Sequence, residues 1–271
     1  MAKIRDILAL LNEFAPLSLS EDWDNSGLQI GSMNWKVKKV LIGLDVSPSL
    51  VNFAATENVD LIITHHPLML SGEKFINFDR MPGKAIEIAA KKRIGIISLH
   101  TNIDKVEGGL NDYFASCIGL KRTSPILIDP LMNGLEKKHN GIGRIGTLGE
   151  TLTLKALALQ IKEKMNLSHL RLVGDVNMTV KTVAICTGSG GSLIEEFINS
   201  RAEVFITGDI KYHEARQVEE CSKGILDVGH FGSEWMVIDL LFERLTPAFQ
   251  KAGFNIELKK YLKEKDPFTI F

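Results

Sequence analysis

The segment Asp60-Leu-Ile-Ile-Thr-His-His-Pro67 is an apolar run that ends in two adjacent imidazoles and then in a proline. Imidazole is the commonest metal-ligating side chain, and α/β proteins bind ligands beyond the carboxyl ends of their strands. Successive strand residues point to opposite faces, so a doublet inside a strand would divide between two environments, one ring structural and one exposed. Pro67 ends the ladder and keeps His66 extended, and a chain turning there can aim both rings into one cleft. Two later pairs have matching chemistry. His100-Thr-Asn-Ile-Asp104 and His230-Phe-Gly-Ser-Glu234 each follow an apolar run and place a carboxylate four residues after a histidine. The set His65, His66, Asp104, His230 and Glu234 offers more donors than one four-coordinate ion uses, and a carboxylate can bridge two ions, so two divalent metal ions per chain are expected. Three nitrogens and two carboxylates suit Zn, Mn, Fe or Co better than Ca. The competing role for Asp104 and Glu234 is that of acids at helix N-termini. His100 and His213 are assigned supporting or proton-carrying roles, while His139 and His169 lie in polar surroundings and read as surface residues.

Strand-like runs at 40–44, 61–64, 94–99, 183–187, 204–207 and 225–228 alternate with helix-like segments at 48–58, 83–92, 104–117, 152–165, 191–200 and 212–222. This alternation predicts an α/β fold whose sheets are mixed but mostly parallel and flanked by helices. Val37-Lys-Lys-Val-Leu-Ile42 aligns with Val180-Lys-Thr-Val-Ala-Ile185, and the same offset of 143 residues pairs Ser49-Leu50 with Ser192-Leu193 and Ile63-Thr64 with Ile206-Thr207. An ungapped match through strand, helix and second strand indicates an internal duplication. His65-His66 then faces Gly208-Asp209, so the doublet belongs to the first copy alone. The expected division is 1–125 with 230–271 as the first repeat and C-terminal helix, and 126–229 as the second. Between the copies, a strand is expected around Gly141 to Thr147 and a helix from Thr151 to Met165, with Thr151 or Thr153 as N-cap.

The chain has 271 residues, 45% of them hydrophobic, enough for one large domain or two smaller ones. Its 32 basic and 33 acidic residues leave a formal charge of -1, which weighs against nucleic-acid or anionic-membrane partners. Three scattered cysteines without a Cys-x-x-Cys argue against a disulfide framework and fit a cytoplasmic location. Apolar residues at 4, 7, 8, 11 and 14 predict an amphipathic N-terminal helix rather than a signal segment, and no run reaches the ~20 apolar residues of a membrane span. Gly188-Ser-Gly-Gly-Ser192 lies between a strand and a helix and reads either as an anion-binding loop or as a tight turn. Gly141-Ile-Gly-Arg-Ile-Gly146 fits the dinucleotide pattern by letter, but it falls within a strand and no helix opens after it. No serine or cysteine occupies a nucleophile elbow.

These residues closely resemble the Nif-three-like family, also known as GTP cyclohydrolase 1 type 2 homologs. The resemblance spans nearly the whole chain. It is carried by Glu21-Asp-Trp-Asp-Asn-Ser-Gly-Leu-Gln-Ile-Gly31, Gly43-Leu-Asp-Val-Ser-Pro48, Leu61-Ile-Ile-Thr-His-His-Pro67, His100-Thr-Asn-Ile-Asp104, Gly141-Ile-Gly-Arg-Ile-Gly146, Thr207-Gly-Asp-Ile-Lys-Tyr-His213 and Gly229-His-Phe-Gly-Ser-Glu-Trp235. It implies a two-metal site on His65, His66, Asp104, His230 and Glu234, two interlocked α/β repeats and a ring-shaped homohexamer. Some members carry a domain between the halves; this chain has only about 50 residues there, from Ser124 to Asp175, and resembles the short form. The expected function is that of a metal-dependent hydrolase acting on a nucleotide or another phosphorylated small molecule, with a bridging hydroxide as nucleophile and His100 or His213 moving protons. The alternative is a non-catalytic metal-binding scaffold or metal-handling protein.

Overall fold

The computed structural model describes residues 1–128 and 139–270. The chain forms two units, Met1–Ile103 with Val237–Lys265, and Asp104–Met236 with Asp266–Phe271. From the N-terminus run α1 (Ile4–Phe14), β1 (Gly27–Ile30), β2 (Lys39–Gly43), α2 (Pro48–Thr56), β3 (Leu61–Thr64), α3 (Gly83–Lys92), β4 (Gly95–Ser98) and α4 (Thr101–Lys105), in which the chain crosses the division. The second unit contains α5 (Leu110–Ile118), β5 (Lys121–Ser124), β6 (Leu127–Ile128), β7 (Gly141–Ile142), β8 (Arg144–Thr153), α6 (Leu154–Lys164) and β9 (Arg171–Val173). It continues through β10 (Thr179–Ser189), α7 (Ile194–Asn199), β11 (Val204–Gly208), α8 (Tyr212–Glu220), β12 (Gly224–Asp227) and α9 (His230–Glu234). The chain then returns to the first unit with α10 (Val237–Lys251) and β13 (Glu257–Lys260).

The first unit's sheet has the order β1-β4-β3-β2-β13, parallel except for β1. The second has the order β5-β8-β10-β11-β12-β9, in which β10, β11 and β12 are parallel and the outer strands antiparallel. Every residue of β3, β4, β11 and β12 is buried. This is why their sequences are continuous apolar runs rather than alternations: parallel strands covered on both faces need apolar side chains on both. The helices are amphipathic against these sheets, as in α1, where Ile4, Ile7 and Leu11 are buried.

Backbone pairing confirms the duplication. Val40 pairs with Leu61 and Ile42 with Ile63 in the first unit; Val183 pairs with Val204 and Ile185 with Ile206 in the second. These positions are 143 residues apart. The third strand follows suit, Leu61 pairing with Gly95 and Val204 with Gly224.

Three features depart from the sequence expectation. First, the helix expected at 104–117 is two helices, broken where Gly108 (φ 72°) precedes Gly109 at the start of α5. Asp112 Oδ2 accepts the Gly108 N–H at 2.7 Å and stabilises the break. Second, the units divide at 103/104 and 236/237 instead of 125/126 and 229/230. Phe114, Ala115 and Ile118 of α5 share a core with Val183 and Ile185 of β10, and α9 is tied to β10 by the Gly188 N–H donating to Ser233 Oγ at 2.8 Å. Third, α6 starts at Leu154 and not at Thr151, which lies inside β8; of the two expected N-caps Thr153 is the one used, its Oγ1 accepting from Ala156 N at 3.2 Å. Among the described residues, no helix is long and apolar enough to cross a membrane.

Arg144, 1% exposed, is bonded to the glycine backbone beside it. Its guanidinium donates to Asp112 at 2.7 and 2.8 Å, to the carbonyls of Gly141 and Gly143 at 2.8 Å each, and to the Val106 carbonyl at 3.1 Å. The glycines accommodate backbone close approach: a Cβ on Gly141 would lie 2.3 Å from the Leu127 carbonyl oxygen. They do not cradle a pyrophosphate. Removing one partner of a buried, fully bonded ion pair typically costs 3–5 kcal/mol. Arg144→Leu is therefore expected to lower the unfolding free energy by about 3 kcal/mol, read from the midpoint and slope of urea denaturation.

Candidate metal centre

In the first unit, β3 and β4 end flush, with Thr64 paired to Ser98. The residues that follow both strands therefore emerge at one edge. The chain turns after Thr64, where the His66 carbonyl accepts from Thr64 Oγ1 at 2.9 Å and from Ser98 Oγ at 3.1 Å. The turn overcomes strand alternation, and the His65 and His66 ring centroids lie 4.9 Å apart. His100 completes the group at 5.2 Å from His65 and 5.7 Å from His66. Ligand nitrogens of the three rings lie within 4.8 Å of one another, close enough to hold a metal ion.

Each ring is held through Nδ1. His65 Nδ1 meets the Leu99 carbonyl at 2.8 Å, His66 Nδ1 meets Asp45 Oδ1 at 2.8 Å, and His100 Nδ1 meets Asp24 Oδ1 at 2.7 Å. An oxygen at Nδ1 fixes the tautomer and ring orientation, making Nε2 the nitrogen that would ligate an ion. Burial of Asp24 disfavours its charge, but hydrogen bonds from His100, Thr101 and Ser26 and the charge of His100 hold its carboxyl well below the usual carboxylate range. The acceptor for His100 is thus ionised and fixed.

The second unit assembles its own group at the end of β10. On the single turn of α9, His230 Nε2 lies 3.0 Å from Glu234 Oε2, and His230 Nδ1 meets Asp209 Oδ2 at 2.7 Å. Glu234 is 3% exposed and rests where Gly188 has no side chain; a Cβ there would come within 2.2 Å of Glu234 Oε1. Gly188 also has φ +66°, a conformation that L side chains rarely adopt. Asp104 Oδ1 accepts from Thr187 Oγ1 at 3.4 Å. The buried Asn111 donates to the Asp104 carbonyl at 3.1 Å and accepts the Thr187 N–H at 3.0 Å. The Cys186 thiol is pushed well up its scale by burial first and then by the charges of Asp104 and Glu234, so it is held as an unreactive thiol.

The structure thus groups His65 and His66 with His100 in one unit; in the other it places His230 beside Glu234, and Asp104 against Thr187 of β10. His213 is exposed in the first turn of α8, edge-on to Tyr212 at 5.3 Å. His139 and His169 are both exposed. Gly188 to Ser192 is a tight turn into a short 3-10 helix and not an anion loop: a Cβ on Gly191 would lie 2.7 Å from Glu214 Oε1, and that carboxylate repels anions. Sequence reasoning missed the roles of Asp24, Asp45 and Asp209. Asp45 and Asp209 stand just after β2 and β11, where an acid at a parallel strand's carboxyl end is a usable signal. Asp24 precedes an antiparallel edge strand and carries no such mark.

This is a protein of duplicated α/β architecture with carboxylate-supported histidines at the ends of its parallel strands. Residues 2–267 match the Duf34/NIF3 (NGG1p interacting factor 3) family, and the chain belongs to it. A GTP cyclohydrolase 1 type 2 homolog from Clostridium acetobutylicum is 32% identical, the match covering 99% of this chain and 98% of the relative. One from Campylobacter jejuni is 34% identical over 99% of this chain and 100% of the relative. A Staphylococcus aureus protein of known structure is 29% identical with a TM-score of 0.91, covering 100% of this chain and 99% of that one. A Bacillus cereus protein related to NIF3 has the same fold, with a TM-score of 0.92 over 100% of this chain and 99% of that one at 24% identity.

The seat of Glu234 can be tested by adding one methyl group. Gly188→Ala should destabilise the protein by about 2–4 kcal/mol through left-handed strain and overpacking. Gly149→Ala, where a Cβ meets nothing within 4 Å, should be nearly silent in the same thermal or urea unfolding measurement.

Proposed function

We propose that this protein is a metal-dependent hydrolase that binds two divalent ions per chain, one anchored on His65, His66 and His100 and the other on Asp104, His230 and Glu234. The observation that carries this reading is that all three imidazoles of the first group have Nδ1 engaged by an oxygen, the usual arrangement of ligating histidines. The Gly188 seat for Glu234 supports it in the second group. His100 joins the ligands on this reading instead of carrying protons, because Asp24 orients its ring as Asp45 orients that of His66. Bound ions of the Zn, Mn, Fe or Co class would bring the pKa of water to ~7 and polarise the bond under attack. The chain's own residues fix the ligands: Asp24, Asp45 and Asp209 hold the rings, and Thr187 and Asn111 hold Asp104. The names of the Clostridium and Campylobacter relatives support a nucleotide as substrate. A homohexameric ring belongs to the same proposal, and light scattering of the purified protein checks its mass.

Elemental analysis after native purification and after Zn or Mn reconstitution, joined to a hydrolysis screen across nucleotides and phosphoesters, tests the reading. Wild type should hold two ions, and His65→Ala and Glu234→Gln should each lose metal and turnover. At most one ion per chain in wild type would defeat the two-ion proposal. Full occupancy with no turnover on any compound would favour the scaffold. His100→Ala separates its two roles, since a ligand's loss lowers metal content and a proton carrier's loss lowers turnover alone. Asp24→Asn, which weakens the acceptor without changing its shape, should reduce metal affinity about 10- to 100-fold in a competitive chelator titration.

A further inference from the structure

We propose that Trp23 is a stacking platform for the planar heteroaromatic ring of a small-molecule ligand. The proposal rests on reading the neighbouring imidazoles as a metal centre, and it names the class of ligand presented there. Of the chain's three tryptophans, Trp35 lies half-buried beneath the Arg93 guanidinium at 5.2 Å and Trp235 is stacked on Phe231 at 5.0 Å. Trp23 is 59% exposed, and its ring centroid lies 5.9 Å from that of His100 with the planes at 79°.

Its exposure is not that of a slack loop. Asp24 N donates to the Glu21 carbonyl at 2.9 Å, and Glu21 N donates to Thr101 Oγ1 at 2.9 Å. Asp24 Oδ2 accepts from Thr101 Oγ1 at 2.6 Å, Thr101 N at 3.1 Å and Ser26 Oγ at 2.8 Å. Ser26 Oγ in turn accepts the His100 N–H at 3.2 Å, and Asn25 Nδ2 donates to the Met69 carbonyl at 2.7 Å. These bonds fix the chain on both sides of Trp23, so its side chain leaves the backbone beside His100. Burying an indole would contribute to stability, and this chain instead holds a large aromatic surface in water beside a metal-competent group. An exposed π-face is suited to stacking with a planar ring, an interaction indifferent to most ring substituents.

The test is equilibrium binding, by calorimetry or ligand-observed NMR, of guanosine, adenosine and pterin, with ribose 5-phosphate as the ringless control. Zn-reconstituted wild type, Trp23→Ala and Trp23→Phe are compared, and the Zn content and assembly mass of each are measured alongside. Trp23→Ala should weaken the best ring-bearing probe about tenfold or more, Trp23→Phe should restore most of it, and ribose 5-phosphate should be unaffected. The proposal is overturned if Trp23→Ala binds the rings as tightly as wild type, or if wild type of full Zn content binds none of them. It is also overturned if Trp23→Ala lowers the mass of the assembly, which would assign the indole to a second copy of this chain. Wild type without Zn would defeat the metal reading, and ring binding measured on that protein would still decide the role of Trp23.

Discussion

The register of the parallel strands is the constraint on which each functional group depends. Thr64 sits opposite Ser98 and Thr207 opposite Asp227, so neighbouring strands in each unit stop at the same level. A side chain placed one or two residues beyond either strand enters the same small volume. Slipping one strand by a single residue would reverse its faces and separate the rings. The buried Ile and Val side chains of β3, β4, β11 and β12 set that register, and the polar edge inherits its precision from the core.

Duplication supplies the frame twice, and substitutions at matched positions give each copy a different chemistry. Asp45 and Gly188 are equivalent by the 143-residue offset. In the first unit Asp45 supplies the carboxylate for His66, whereas in the second the missing side chain makes room for Glu234. His66 and Asp209 are also equivalent. One is an imidazole that accepts support, and the other is the carboxylate that supports His230. Even the backbone donors at the strand end are met differently. Leu44 and Asp45 N–H groups are both taken by Glu264 at 2.9 Å, and Thr187 and Gly188 N–H groups go to Asn111 and Ser233.

This history explains how much was legible in the sequence. Buried parallel strands announce themselves as apolar runs, and β3 was expected at its observed bounds, 61–64. The histidines and acids were legible because they follow such runs. The short edge strands β1, β9 and β13 were missed, since Glu-Leu-Lys-Lys in β13 reads as a charged surface until β2 is seen beside it. The break between α4 and α5 depends on Arg144 and Asp112, more than 30 residues apart in sequence and without a local signature. The division of the chain was misplaced because His230 resembles His100 in sequence, while the packing of α9 is decided by Gly188 and Ser233.

The electrostatics of the second unit give the arrangement its direction. His230 stands between two carboxylates, Asp209 at 2.7 Å and Glu234 at 3.0 Å, and the charges of Asp104 and Glu234 are both felt at the buried Cys186 thiol. Burying a charge is costly unless it is paired, and the Glu234 carboxylate, 3% exposed, has the His230 imidazole as one such partner. An imidazole nitrogen offered to a cation must first give up its proton, so a metal ion held at His230 would bind in competition with protons.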